Sequence, residues 1–229
     1  MPIEREFKYL LLNSPVVEFA AKEQATESRQ IEQGYFDKGG RIRRIIKLDS
    51  KSEPVGPTKH VFTYKHDLLD KSGIMEIETS ITATDYKRLW PDTTHRLIKT
   101  RYDIPFEGHT WEIDFFHSPT DDGIYLVMAE CEVDPKSDPD MRPAPPPIVK
   151  NFLRYTVDEF DKRFTNRKLS DPAHVASVIE DLGINCHPPA ELLKVLTPTK
   201  KSPGNNVIKL KAKGRKHDQT ANGRSKLKF

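Results

Sequence analysis

The sequence predicts a mainly β fold of the α+β kind, with eight strands, enough to close into an antiparallel β-barrel, and C-terminal helices packed on or plugging it. Three observations lead there. Eight segments alternate apolar and polar residues with period two and are rich in β-branched or aromatic side chains. Hairpin-type turns, Lys38-Gly39-Gly40 and Asp121-Asp122-Gly123, separate some of them. Sustained helical spacing begins only after a proline-rich stretch, over 148–164 and 172–182.

In chain order the strands are expected at 4–11, 30–36, 41–48, 60–66, 74–81, 96–105, 110–117 and 125–134. Residues 50–58, with two prolines and a glycine, read as a longer loop. Thr84 to Trp90 can form a short helix capped by Thr82 or Thr84 and stopped by Pro91. Prolines between 135 and 147 mark a linker in which regular structure cannot continue. The last helix has Ser170 and Asp171 as cap candidates and Gly183 as its stop.

The expected organisation is one domain over 1–182, with the barrel at about 1–134, the linker at 135–147 and helices at 148–182. A basic tail follows at 183–229. From Lys194 onward eleven lysines and arginines face a single acid, Asp218, a balance of +10; since the whole chain carries +3, residues 1–193 carry −7. The tail is expected to be a solvated, disordered segment, with weak, salt-sensitive binding of nucleic acid or polyphosphate as the alternative. No apolar run approaches a membrane span and no secretory leader is legible, so a soluble, cytoplasmic protein without a membrane partner is expected. Two cysteines, Cys131 and Cys186, do not make a disulfide scaffold.

The charges are patterned by strand. In Glu4-Arg5-Glu6-Phe7-Lys8, the side chains of Glu4, Glu6 and Lys8 share one face while Arg5 and Phe7 share the other. The same charge-x-charge spacing recurs at Arg41/Arg43, Glu76/Glu78, Lys99/Arg101, Glu112/Asp114 and Glu130/Glu132, so six of the eight strands carry it. The opposite faces are apolar: Trp111, Ile113 and Phe115 flank one acidic pair, and Val127, Ala129, Cys131 and Val133 flank another. Each pair taken singly is an ordinary solvated face. Taken together, bases grouped on some strands and acids on others describe a lumen that attracts a polyanion with several phosphates. The acids suit that role only if Mg²⁺ or Mn²⁺ bridges carboxylate and phosphate, since hard cations take oxygen ligands from both.

These residues resemble the CYTH superfamily, the triphosphate tunnel metalloenzymes. The resemblance rests on Glu4-x-Glu6-x-Lys8 and on IEQGYF (31–36), RIRR (41–44), FTYK ending at Lys65, EIE (76–78), IKTR with Lys99 and Arg101, WEID ending at Asp114, AECE with Glu130 and Glu132, and DKRFTNRKL (161–169). It implies an eight-stranded antiparallel barrel forming a tunnel, with metal-dependent action on a triphosphate. Lys8, Arg41, Arg43, Lys65, Lys99 and Arg101 would bind phosphate, with Arg163 an additional contact from the plugging segment. Glu4, Glu6, Asp114, Glu130 and Glu132 would bind metal, with Glu76 and Glu78 as further candidates. Glu112 shares the Asp114 face but is not a landmark of the family. Glu4, Glu6, Lys8, Glu130 and Glu132 are expected to carry the catalysis.

Two metal ions are expected, one neutralising the triphosphate and one lowering the pKa of an attacking water. The resemblance favours the short bacterial inorganic triphosphatases, which release pyrophosphate and phosphate. Class IV adenylyl cyclase, making cyclic AMP from ATP, is the enzymatic alternative; thiamine triphosphatase and RNA triphosphatase are others. A module that binds triphosphate, polyphosphate or a nucleotide without turnover is the non-enzymatic one. A homodimer is one assembly the sequence allows.

Overall fold

The computed structural model describes residues 5–37, 39–67, 74–134 and 142–187. All eight predicted strands form: β1 (Arg5–Leu11), β2 (Glu27–Tyr35), β3 (Arg41–Leu48), β4 (Pro54–Asp67), β5 (Ile74–Ser80), β6 (His95–Phe106), β7 (His109–His117) and β8 (Ile124–Val133). A ninth, β9 (Leu153–Thr156), follows the proline-rich stretch. Every pairing is antiparallel, in the order β5-β4-β3-β2-β6-β7-β8-β1-β9.

The closed eight-stranded barrel is therefore corrected to an open nine-stranded sheet. Its edge strands, β5 and β9, do not pair with each other. The outer edge of β1, which closure would require, is occupied by β9 through Tyr9↔Thr156 and Leu10↔Tyr155.

The sheet is nonetheless strongly curled. Lys8 on β1 and Lys65 on β4 line one cavity although six places separate their strands in the sheet. A flat sheet would hold them about 29 Å apart at roughly 4.8 Å per strand. Curling gives the sheet a convex and a concave face, and each buries a different core. On the convex side Phe7, Tyr9, Trp111, Ile113, Phe115 and Val127 are covered by α1 (Pro15–Gln24), through Val17 and Ala21, and by α3 (Pro147–Phe152), through Ile148 and Val149. Helix α2 (Ala83–Leu89) packs against β3 and β4, and the Thr82 hydroxyl before it accepts from the Asp85 N–H at 3.1 Å, as expected of a capping threonine.

One end of the concave side is filled. Leu10, Leu97, Phe116, Leu126 and Met128 pack there against Phe164, Leu169, Val175 and Val178 from α4 (Asn166–Leu169), α5 (Pro172–Asp181) and the 3₁₀ turn Lys162–Phe164. This explains why β1 alternates until Leu10 and Leu11, which are both fully buried: helices cover both faces of the sheet at that end.

Four further expectations change. The helix read over 148–164 breaks after six residues, because Leu153 to Thr156 alternate and take the free edge of β1. The loop read over 50–58 is shorter: β4 starts at Pro54, paired with Leu48, after a turn in which the Asp49 carboxylate accepts from the Lys51 and Glu53 N–H groups. Helix α1 was not expected, although Ser14-Pro15 with Val17 and Ala21 four apart carries a helix start and an apolar face. Folded chain also extends past 182: Asn13 N–H donates to Cys186 O at 2.7 Å, and Cys186 is buried in the concave core. The remainder of the tail, from 188 on, lies outside the described residues, as does 135–141 of the linker.

Three glycines answer to geometry. Gly39 and Gly40 turn β2 into β3 with φ of 91° and 87°, a region costly for other residues. Gly34, inside IEQGYF, lets β2 approach Thr93; a Cβ there would lie 2.8 Å from the threonine side chain.

Candidate functional site

The concave face carries the charged columns. Period two puts Glu6 and Lys8 of β1 there, opposite Glu132 and Glu130 of β8; β7 adds Glu112 and Asp114, and β6 adds Lys99 and Arg101. Cross-strand register brings Glu112 beside Glu130 and Arg101 beside Asp114.

At the buried end these charges form a closed network. Lys99, 2% exposed, donates to Asp114 Oδ2 at 2.6 Å and to Asn166 Oδ1 at 3.2 Å. Arg101 grips the same carboxylate with Nε at 2.6 Å and Nη2 at 2.5 Å, reaches Glu130 Oε2 at 3.0 Å, and pairs with Glu112 through Nη1. Burial alone would raise the Asp114 carboxyl, but Arg101 and Lys99 outweigh it and hold it at about 2. Burial, with Arg101 adding to it, pulls Lys99 below the ordinary lysine range despite Asp114.

Towards the open end, Lys8 Nζ stands 2.8 Å from Glu6 Oε2 and 3.3 Å from Glu130 Oε1. Burial opposes its charge, yet Glu130 and Glu6 lift its pKa above the usual value. Glu6 is raised, first by burial and then by Glu130 beside it. Glu112 is raised as well, chiefly by burial, with Asp114 and Glu130 adding to it against Arg101.

A cavity of about 640 Å³ opens above this group. Lys8, Arg41 and Lys65 line it from the sheet, and the segment 157–167 forms its opposite wall. Six basic side chains line it against four acidic ones, so the field inside favours an anion. Lys65 pairs with Glu76 at 3.2 Å, Arg41 lies 3.9 Å from the same carboxylate, and Arg43 holds Glu78 at 2.6 Å. Burial and the neighbouring Arg41 lower the Arg43 pKa.

Of the residues expected in the site, Glu6, Lys8, Asp114, Glu130, Lys99 and Arg101 come together in one network, with Glu132 at the register position beside Glu6. Arg41 and Lys65 face them across the cavity. Glu76 and Glu78 sit on edge strand β5 and neutralise cations of β3 and β4. Arg163 does not line the cavity; Asp161 binds its guanidinium through Nε and Nη2. Glu4 lies outside the described residues. Sequence reasoning missed Asn166, whose amide oxygen ties Lys99 to α4, and underrated Glu112, whose alternation with Asp114 was the available signal.

Glu6, Glu112, Glu130 and Glu132 occupy adjoining register positions on one face, so carboxylate oxygens, the donor type that hard divalent cations take, neighbour one another there. Among the described residues, no three His, Cys, Asp or Glu side chains converge at metal-ligating distance. Both cysteines are free and buried, and no helix among the described residues is long and apolar enough to cross a membrane.

No family model matches this chain, and no curated protein does. Among solved structures it is similar to a conserved hypothetical protein from Pyrococcus furiosus, at 14% identity over 82% of this chain and 99% of that one, with a TM-score of 0.35. It is also similar to a chain of the Schizosaccharomyces pombe Mediator head module, at 10% identity over 79% and 94%, with a TM-score of 0.37. Both likenesses are too weak to bear on function.

Proposed function

We propose that the concave cavity is a triphosphate site of the triphosphate tunnel metalloenzyme kind, and that the protein hydrolyses inorganic triphosphate to pyrophosphate and phosphate with Mg²⁺ or Mn²⁺. The observation that carries this is the convergence of Lys8, Arg41 and Lys65, from strands far apart in the sheet, on one cavity beside the carboxylates of Glu6 and Glu130. In this reading the curled sheet is one wall of a tunnel and the segment 157–167 is the other.

The chain's own residues divide the work. Lys8, Arg41 and Lys65 are accessible enough to hold phosphate oxygens, Arg as a fork and Lys as point charges. Lys99 and Arg101 act from below: both are locked on Asp114, and Arg101 also holds Glu130 in place. Glu6, Glu130 and Glu132, with Glu4, are the residues that would hold a divalent metal. Bound there, the metal supplies charge neutralisation and a water acidified towards hydroxide.

A second reading, capture without turnover, is favoured by one observation: Glu6, Asp114 and Glu130 already face basic partners. One experiment separates the readings. Phosphate, pyrophosphate and cyclic AMP are measured from inorganic triphosphate, ATP and thiamine triphosphate, with Mg²⁺, with Mn²⁺ and with chelator. Chelator-sensitive phosphate release from inorganic triphosphate is the expected result. Cyclic AMP from ATP would replace the triphosphatase by a cyclase, and metal-dependent binding without product would replace it by a sensor.

A further inference from the structure

The wall facing the sheet is a well-anchored strap. Its backbone begins with Val157 N–H donating to Lys8 O at 3.0 Å. Glu159 takes a two-pronged ion pair from Arg5 at 3.1 and 3.2 Å, Phe164 O receives Lys8 Nζ at 3.5 Å, and Asn166 receives Lys99. Phe164 and Leu169 are buried in the core beneath. Side chains projecting from this segment are thus held on a fixed frame.

Three cations project from it, and they have different fates. Arg163 is occupied by Asp161 on two guanidinium nitrogens and points away from the cavity lining. Lys162 lines the cavity, is exposed, and has no side-chain partner among the described residues. Arg167 also lines it; its ion pair is with Asp37, 3.8 Å away and 71% exposed, a loose, solvent-screened surface contact. Little would be lost if either side chain turned to a ligand. Across the cavity stand Arg41 and Lys65, so the lining has cations on both walls.

We propose that Lys162 and Arg167 are substrate-binding residues that hold the phosphate chain from the strap side, opposite Arg41 and Lys65, and that Arg163 is a structural residue of the strap. This rests on the triphosphate reading of the cavity and adds to it two ligand contacts from a segment in which the sequence pattern had singled out Arg163 alone. A phosphate chain bridging the two walls would meet cations that no carboxylate of the strap holds, since Asp161 is committed to Arg163 and Glu159 to Arg5, and Asp158 accepts from the Phe160 N–H.

The test is calorimetric titration of the full-length protein with inorganic triphosphate and Mg²⁺, comparing wild type with Lys162→Ala, Arg167→Ala, Arg167→Lys and Arg163→Ala. Charged hydrogen bonds to phosphate predict losses of about tenfold for Lys162→Ala and for Arg167→Ala, at the lower end of such contacts because both are partly exposed. Arg167→Lys keeps the charge and should lose less than Arg167→Ala, a ranking that a fold defect would not produce. Wild-type affinity in both alanine variants, or a loss confined to Arg163→Ala, overturns this inference while leaving the triphosphate site standing. Wild-type protein that binds no triphosphate overturns both.

Discussion

Lys99 and Lys65 are both lysines on the concave face, and both match landmarks of the same charge pattern, yet they live in opposite environments. Lys99 is 2% exposed under the C-terminal helices, with Asp114 and Asn166 as fixed partners. Lys65 has a side chain 35% exposed, on the open rim of the cavity, beside Glu76. The Lys99–Asp114–Arg101 group is built like a core, and its charges are held by each other. The rim group of Lys8, Arg41, Lys65 and the strap cations lines an open cavity, the one we propose as a receptor. Depth in the trough, not residue type, separates charges enclosed by the fold from charges that border that cavity.

Removing the central carboxylate attacks that distinction most directly. Asp114→Asn leaves Lys99 buried without its carboxylate partner and Arg101 with Glu112 and Glu130 alone, and breaking a buried pair in this way costs about 3–5 kcal/mol. Urea denaturation of the variant should show it; a loss under 1 kcal/mol would mean that the network is no more structural than the rim.

The same carboxylate predicts a pH dependence. Its folded pKa is about 2 against 3.8 when unperturbed, so between these values the unfolded chain binds more protons and stability rises with pH. That contribution, about 2 kcal/mol, is complete above about pH 4 to 5 and is lost as pH falls towards 2. Glu6 and Glu112, both raised, act with the opposite sign above about pH 4.5, where the folded state holds their protons longer. Denaturation midpoints should therefore climb between pH 2 and 4 and flatten or fall beyond. In Asp114→Asn the climb should shrink.

Glu130 sits at the boundary, 2% exposed but touching both groups through Arg101 and Lys8. Glu130→Gln keeps its shape and removes its charge, so the expected stability loss is intermediate, about 1–3 kcal/mol. Metal-dependent release of phosphate should fall below detection while circular dichroism stays unchanged. Full activity in this variant would remove Glu130 from the site.

Much of this layout was legible in the sequence. Period-two alternation with apolar residues opposite the charges located all eight strands of the pattern and the inward face of Glu130, Asp114 and Arg101. What stayed hidden depends on contacts between distant segments. Leu153 to Thr156 is too short to reveal itself as a strand until the edge of β1 accepts it, and that pairing is also why the sheet is not closed. Burial of Lys99 but not Lys65 is set by where α4 and α5 dock, which no local spacing encodes. Arg163 and Arg167 belong to one basic run, and only the turn made by Asp158 to Asp161, with Asp161 N–H on Asp158 O at 2.9 Å, decides which of them meets the cavity.

The smallest structural effect is expected at the rim, and it should accompany a clear functional one. Lys65→Ala removes an exposed pair with Glu76, and such pairs contribute about 0–1 kcal/mol, so the urea midpoint should barely move. Because its ammonium lines the cavity, the same variant should bind inorganic triphosphate with Mg²⁺ about tenfold more weakly at low salt, a difference that narrows at high salt, where the Lys65 charge is screened in the wild type as well. Asp114→Asn and Lys65→Ala thus form a crossed pair: the first mainly lowers stability, the second mainly lowers affinity. If Lys65→Ala were instead to unfold the protein while binding survived in what remained folded, the rim would be part of the scaffold, and the cavity would need another explanation for its excess of positive charge.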